Sequence, residues 1–492
     1  MSGLLLEGAR LPGAPEAVDV LVADGVVAEV VPHGATTAAD PAVDRIELAG
    51  RWIVPGLHDR HAHLSQWAMV SRRLDLSGAA SAAEAAELVR RGVDAGESEV
   101  VGFGYRDGLW PEATSRLKLD AVSGDIPVVL VAADLHACWV NSAAARRHGV
   151  TVPDDGVLRE EASFRLLREL DAVADDVLDG WVADAVSRAA ARGMVGVVDY
   201  EMRWNRDDWA RRAAGRDLPM RVGFGVYPQH VDRAIAEGLR TGDVVPDTGG
   251  LVTVGGAKVI TDGSLNTRTA WCFDPYPGLE GGEHPYGLAT VTYEELVPLM
   301  QRAHSGGLAP AVHAIGDHAN ASVLDAFEAV GCSGSVEHAQ LLRHEDVARF
   351  ARLGIVASVQ PEHAMDDRDI ADRYWAGRTD RAFMLAELHT AGVELALGSD
   401  APVAPLDPWV AIAAAVGRTR DGREPWHPEQ AIDVRAALAA STGGAGPEVR
   451  VGRRADLAVV ERDPYAASVE ELRTMPVAAT LIAGRMTHDA LR

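Results

Sequence analysis

The chain has 492 residues, 47% of them hydrophobic, enough for a large core, which excludes a disordered polypeptide. Its 72 acidic residues against 47 basic ones leave a formal net charge of -25, and an acidic surface repels phosphate backbones, so nucleic acid is not an expected partner. The three cysteines, Cys138, Cys272 and Cys332, form no Cys-x-x-Cys pair, which argues against a four-cysteine zinc site and a disulfide framework and leaves three buried thiols.

Residues 1–55 read as short strands and turns. Val18 to Val22 and Val26 to Val31 are apolar runs separated by Asp24-Gly25, a two-residue hairpin signal. Trp52-Ile53-Val54 reads as a buried strand that leads into Pro55-Gly56-Leu57-His58-Asp59-Arg60-His61-Ala62-His63. From 56 to about 445, short apolar runs alternate with helical patterns. The runs include 128–131, 195–198, 311–312, 355–357 and 395–397. Helical periodicity covers 81–94, 164–192, 292–305, 319–330, 344–353 and 381–391, and Gly193 and Gly392 close two of these helices. Such alternation implies a parallel sheet, and an α/β fold of the (β/α)8 TIM-like barrel type accommodates it best. The stretch of about 70–190 is helix-rich and longer than one strand–helix unit needs, which predicts an inserted subdomain. Residues 446–492 return to strand patterns at 455–460 and 478–484, so the two ends of the chain can pair into one small β domain around the 56–445 barrel.

Barrel chemistry sits at the C-terminal ends of strands, and several of these runs end in metal-binding residue types. In extended chain, residues i and i+2 share a face, so His61 and His63 can offer two imidazoles to one ion. The run 251–260 carries Lys258 inside an apolar strand and is followed by Asp262; other runs end at His313, His338 and Asp400. Four imidazoles and a carboxylate suit one or two borderline divalent ions such as Zn2+, which lowers the pKa of bound water to about 7. Asp400 can take the proton from that water and pass it to a leaving nitrogen. Lys258 is costly as a buried ammonium; neutralised by CO2 it becomes a carbamate able to bridge two metals, and unmodified it can pair with Asp262 or orient a substrate carbonyl.

The segments 55–63, Val312-His313-Ala314-Ile315-Gly316-Asp317, Glu337-His338-Ala339 and Gly398-Ser399-Asp400-Ala401-Pro402-Val403 resemble the amidohydrolase superfamily. The segments 134–142, 258–264 and Ser358-Val359-Gln360-Pro361-Glu362-His363 look like its YtcJ-like branch, which includes N-substituted formamide deformylases. The resemblance implies a metal-dependent barrel with a β-sandwich built from both termini. It implies metal ligands at His61, His63, Lys258, His313, His338 and Asp400, with Asp400 and His338 as the catalytic pair. His136, Trp110, Arg268 and His363 are the candidate substrate-binding residues; their structural alternatives are a hydrogen-bonded turn, a core aromatic, a surface salt bridge and a loop-shaping histidine. Glu337 reads as structural, because strand alternation points it away from the metal. Glu201 is a reserve carboxylate should Lys258 not serve. His33, His148, His389 and His488 read as surface residues.

The expected protein is therefore a hydrolase of a non-peptide C–N bond, most simply a linear amide or N-substituted formamide. Metal-bound hydroxide attacks, and Asp400 is the general acid/base. The rival readings are a metal-dependent deaminase releasing ammonia and a non-catalytic barrel used for binding. The expected cofactor is Zn2+, one ion or two, with Mn2+ and Fe2+ as alternatives and Lys258 open to carbamylation. The expected partner is a small-molecule substrate, with a homodimer left open. No basic n-region and apolar h-region open the chain, and no apolar run approaches the roughly 18 residues of a membrane helix, which predicts a cytoplasmic protein with no membrane partner.

Overall fold

The structure, a computed structural model, describes residues 3–14, 16–35, 43–107, 110–133, 137–159, 161–215 and 217–491. It divides into two compact units, Met1–Leu64 with Asp184–Arg492, and Ser65–Ala183.

Both ends of the chain enter one hydrogen-bonded sheet of eight strands within the first unit. The hairpin between Ala17–Ala23 and Val26–Pro32 turns at Asp24 and Gly25, with φ of 51° and 78°. Two left-handed residues are what a twist-matched two-residue turn requires. The run Trp52–Pro55 pairs antiparallel with Leu457–Val460. It therefore belongs to the sheet of the termini, and the histidine-bearing strand starts after Gly56. Leu6, Val20, Ile53, Leu457 and Leu481 form the core of this sheet.

The rest of this unit is built on eight parallel strands, each hydrogen-bonded to the next. In chain order they are Leu57–Ala62, Met194–Asp199, Arg221–Val226, Val252–Ile260, Pro310–Ala314, Ser335–His338, Val356–Val359 and Leu395–Leu397. Beyond the last strand, Asp400 N donates to His61 O at 2.7 Å and His63 N donates to Ala401 O at 2.8 Å, so the sheet is nearly closed on itself. Parallel strands covered on both faces read as continuous apolar runs, and Val259, Val312, Val336, Ala357 and Leu397 are all buried in one core with the surrounding helices. The third strand has no such run, because Gly223 and Gly225 interrupt it. The helical pattern at 164–192 resolves into two helices, Glu161–Leu170 and Asp175–Ala190. Asp175 and Asp176 open the second, where carboxylates offset the helix dipole.

The Ser65–Ala183 unit carries its own five-stranded sheet, ordered Val157–Arg159, Ala137–Val140, Val128–Ala132, Val100–Tyr105 and Leu74–Asp75. The apolar run 128–131 thus serves this sheet and not the barrel. Leu76, Val89, Leu119, Leu130 and Trp139 form its core. Among the described residues, no helix is long and apolar enough to cross a membrane.

Candidate metal centre

His61 lies at the end of the first strand and His63 just beyond it. Their Nε2 atoms stand 3.5 Å and 3.3 Å from Asp400 Oδ1. Asp59 ties the first strand to the eighth segment by accepting from His61 N and Ser399 N, both at 3.0 Å. The approach leaves no room for a side chain at Gly398: a Cβ there would lie 2.7 Å from His61 N and 2.9 Å from His61 Cβ.

Two of the candidate metal ligands have left-handed backbones, His338 at φ 77° and Asp400 at φ 56°. Such conformations cost of order 1–3 kcal/mol outside glycine and concentrate at functional sites. The turn at His338 breaks strand alternation, so Glu337 and His338 both reach His61. The His338 and His61 rings are 4.9 Å apart, and Glu337 Oε2 is 2.7 Å from His61 Nδ1, with both side chains 1% exposed. Glu337 is therefore more than the purely structural residue that alternation predicts, because it fixes the orientation of His61. Tyr200 and Ser335 donate to the other oxygen of the same carboxylate.

A carboxylate can only accept, so His61 Nδ1 carries the proton and Nε2 presents its lone pair to Asp400. Burial pushes His61 down to about 4 and holds His338 well below the usual histidine range, so both rings are neutral at pH 7. Against the cost of burial, the hydrogen bond from His63 helps hold the Asp400 carboxyl below the usual carboxylate range, and the hydrogen bond from His61, with Lys258, brings Glu337 down to about 2. Burial opposes charge on His63, yet the Asp400 carboxylate raises its pKa. The residues fit a divalent cation by two tests. Neutral imidazoles and an ionised carboxylate are the donors a zinc-type ion takes. Moreover, His338 Nδ1, His363 Nε2 and His313 Nε2 are buried with no hydrogen-bond partner.

Two groups of three donors result, each with its atoms within 4.8 Å of one another: His61, His63 and Asp400, and His338, His363 and Asp400. His313 stands outside both, with its ring 4.4 Å from that of His338 and its Nε2 3.3 Å from Asp262 Oδ1. The expectation that an unmodified Lys258 pairs with Asp262 is not met. Asp262 is filled by Trp271 N at 2.9 Å, Ile315 N at 3.0 Å and Gly316 N at 2.9 Å. Lys258 Nζ instead lies 4.5 Å over the Tyr200 ring with no hydrogen-bond partner, and burial pushes it down to about 8.

His136 falls outside the described residues. Trp110 packs on Tyr105 and Trp139 and donates to Ala79 O at 3.1 Å, inside the Ser65–Ala183 unit. Arg268 stacks 5.3 Å over Tyr374. Glu201 is buried just past the second strand. His148 is not a surface residue: its side chain is 7% exposed and held 2.8 Å from Glu169. Glu337 and Tyr200 are the site residues that sequence patterns missed. The adjacency of Glu337 to His338 is the one available signal, and alternation argued against using it.

Comparison with known proteins agrees with this architecture. The chain is 28% identical to the putative amidohydrolase YtcJ of Bacillus subtilis (strain 168), over 91% of each protein. It is 26% identical to the N-substituted formamide deformylase of Arthrobacter pascens, covering 96% of this chain and 94% of that one. A crystal structure of an uncharacterized metal-dependent hydrolase from Pyrococcus furiosus superposes with a TM-score of 0.76 at 25% identity, over 94% of this chain and all of that one. Residues 44–488 match the amidohydrolase family. With the strand-end histidines and aspartate, that match makes the chain a member of the amidohydrolase family, a hydrolase of carbon–nitrogen bonds.

Proposed function

We propose that this enzyme hydrolyses a linear amide or N-substituted formamide, using a divalent cation held by His61, His63, His338 and Asp400. The observation that carries the reading is the face-off at Asp400. Glu337 fixes the tautomer of His61, so a lone pair on His61 Nε2 points at a carboxylate oxygen 3.5 Å away, with His63 Nε2 at 3.3 Å. Two electron-rich atoms buried at that distance call for a cation between them. A zinc-class ion supplies Lewis acidity toward a carbonyl and a water nucleophile at neutral pH.

The protein's own groups do the remaining work. Asp400, held as a carboxylate, accepts the proton of the attacking water and returns it to the leaving nitrogen. His338 stays neutral beside it. The similarity to the formamide deformylase, which spans nearly the whole of both chains, supports this choice of substrate class.

The test combines elemental analysis of the purified protein with a panel of N-formyl and N-acyl amines, scored for formate or carboxylate release. Metal binding with formate or carboxylate release supports the reading. Ammonia as the nitrogen product would make the enzyme a deaminase. No metal and no turnover after Zn2+ or Mn2+ loading would overturn it.

A further inference from the structure

We propose that a cavity at the N-terminal end of the barrel binds the phosphate group of a small molecule, held by Arg453 and Arg454 beside the His58 ring. The cavity has a volume of about 370 Å3, and all its lining residues belong to the first unit. Ligand sites run from roughly 300 to 1,000 Å3, so its occupant is small. Pro55, Gly56 and His58 line it at the start of the first barrel strand, Leu57–Ala62. His58 precedes His61 by three residues, roughly 10 Å along extended chain. The cavity is separate from the metal centre and does not depend on the metal-hydrolase reading, because none of its lining residues is a proposed metal ligand.

The charge of the lining points to an anion. Arg450, Arg453 and Arg454 border the cavity together, in a chain of net charge -25. Its two carboxylates, Glu448 and Asp456, are already occupied. Asp456 accepts from Arg221 Nε and Nη2 at 2.7 Å and 3.1 Å and from Ala483 N at 2.8 Å. Glu448 pairs with Arg435 and with Arg450, whose Nε is 3.0 Å away. Arg454 Nε, at 3.8 Å from Asp456 Oδ2, is beyond hydrogen-bond range, and Arg453 has no carboxylate partner among the described residues. Guanidinium forks match phosphate oxygens two at a time. On the facing wall, a Cβ on Gly444 would have no neighbour within 4 Å, so the backbone there is open to a ligand. The His58 ring is wedged between two glycines: a Cβ would lie 2.2 Å from its Nδ1 at Gly196 and 2.8 Å at Gly443. Burial pushes His58 down to about 3, so the ring is neutral and keeps one N–H, for which no described residue is an acceptor.

The experiment is titration calorimetry of the full-length protein with inorganic phosphate, glycerol 3-phosphate and succinate, in chloride buffer at constant ionic strength. Each variant is first shown to be folded by circular dichroism. Wild type should bind phosphate saturably, and Asp400→Asn should keep that binding. Arg453→Gln and Arg454→Gln should each weaken it by about tenfold or more. Arg453→Lys, which keeps the charge and loses the fork, should recover only part of the affinity. Tighter binding of glycerol 3-phosphate than of phosphate supports the proposal with a phosphate monoester as the ligand, and equal binding supports it with free phosphate. Phosphate binding that is lost in Asp400→Asn and kept in both arginine variants overturns the proposal by placing the anion on the metal centre. Succinate binding without phosphate binding overturns the choice of ligand. A wild type with no saturable phosphate binding overturns the proposal while leaving the hydrolase reading intact.

Discussion

Glu337→Gln tests how the site holds His61, the first of its proposed ligands. The variant keeps the shape of the side chain and an oxygen able to accept from His61 Nδ1, now 2.7 Å from the carboxylate, but it removes the charge. A hydrogen bond to a charged group contributes about 1.5–3 kcal/mol and a neutral one about 0.5–1.5 kcal/mol, a difference of about 1.2 kcal/mol or about eightfold in an equilibrium constant. Loss of such an outer partner of a metal-bound histidine costs roughly 10–100-fold in affinity. Glu337→Gln should therefore weaken Zn2+ binding by about tenfold or more, measured by competition with a chromophoric chelator. The pH dependence gives a second, metal-free readout. The Glu337 carboxyl is held at about 2 in the fold against 4.5 for a free glutamate, so its contribution to stability is present above 4.5 and is lost as pH falls toward 2. In the variant, urea unfolding midpoints should fall less over that window. Zinc affinity within twofold of wild type, with an unchanged acid limb, would refute the role assigned to Glu337.

Three further outcomes follow from the geometry. Asp400→Asn should retain a folded barrel by circular dichroism and lose about 10²–10⁴-fold in turnover, and near-normal rates would remove Asp400 from the proton path. Gly398→Ala drives a Cβ to 2.7 Å from His61 N, so it should lower the thermal midpoint and weaken metal binding together; an unchanged midpoint would contradict the strand contact. Burial pushes His58 down to about 3, so the folded state resists a proton that the unfolded chain takes up below 6.5. Stability should fall as pH drops from 6.5 toward 3, by about 5 kcal/mol at most, and His58→Phe should flatten that slope in urea titrations. Parallel pH profiles for the two proteins would count against it.

Much of the architecture was legible in the chain because parallel barrel strands are apolar on both faces and end in chemistry. His61, His63, His313, His338 and Asp400 all stand at strand ends, as the local runs predict. Other features were hidden for identifiable reasons. The third strand carries two glycines and so lacks an apolar run. Trp52–Pro55 has the composition of a barrel strand, yet its hydrogen bonds go to Leu457–Val460, some 400 residues along the chain.

Local sequence determined the kinds of donor present and the strand ends that carry them, since side-chain chemistry and periodicity are properties of neighbouring residues. Only the tertiary structure decided how the donors divide. The left-handed turn at His338 brings Glu337 onto His61, and the near-closure of the sheet sets the two oxygens of Asp400 toward different histidines. Asp262 is filled by backbone N–H groups from the loop after its own strand and from the end of the next, which leaves Lys258 without it. These outcomes depend on which strand ends meet across a nearly closed sheet, and that is set by hydrogen-bond register and backbone φ between residues far apart in the chain.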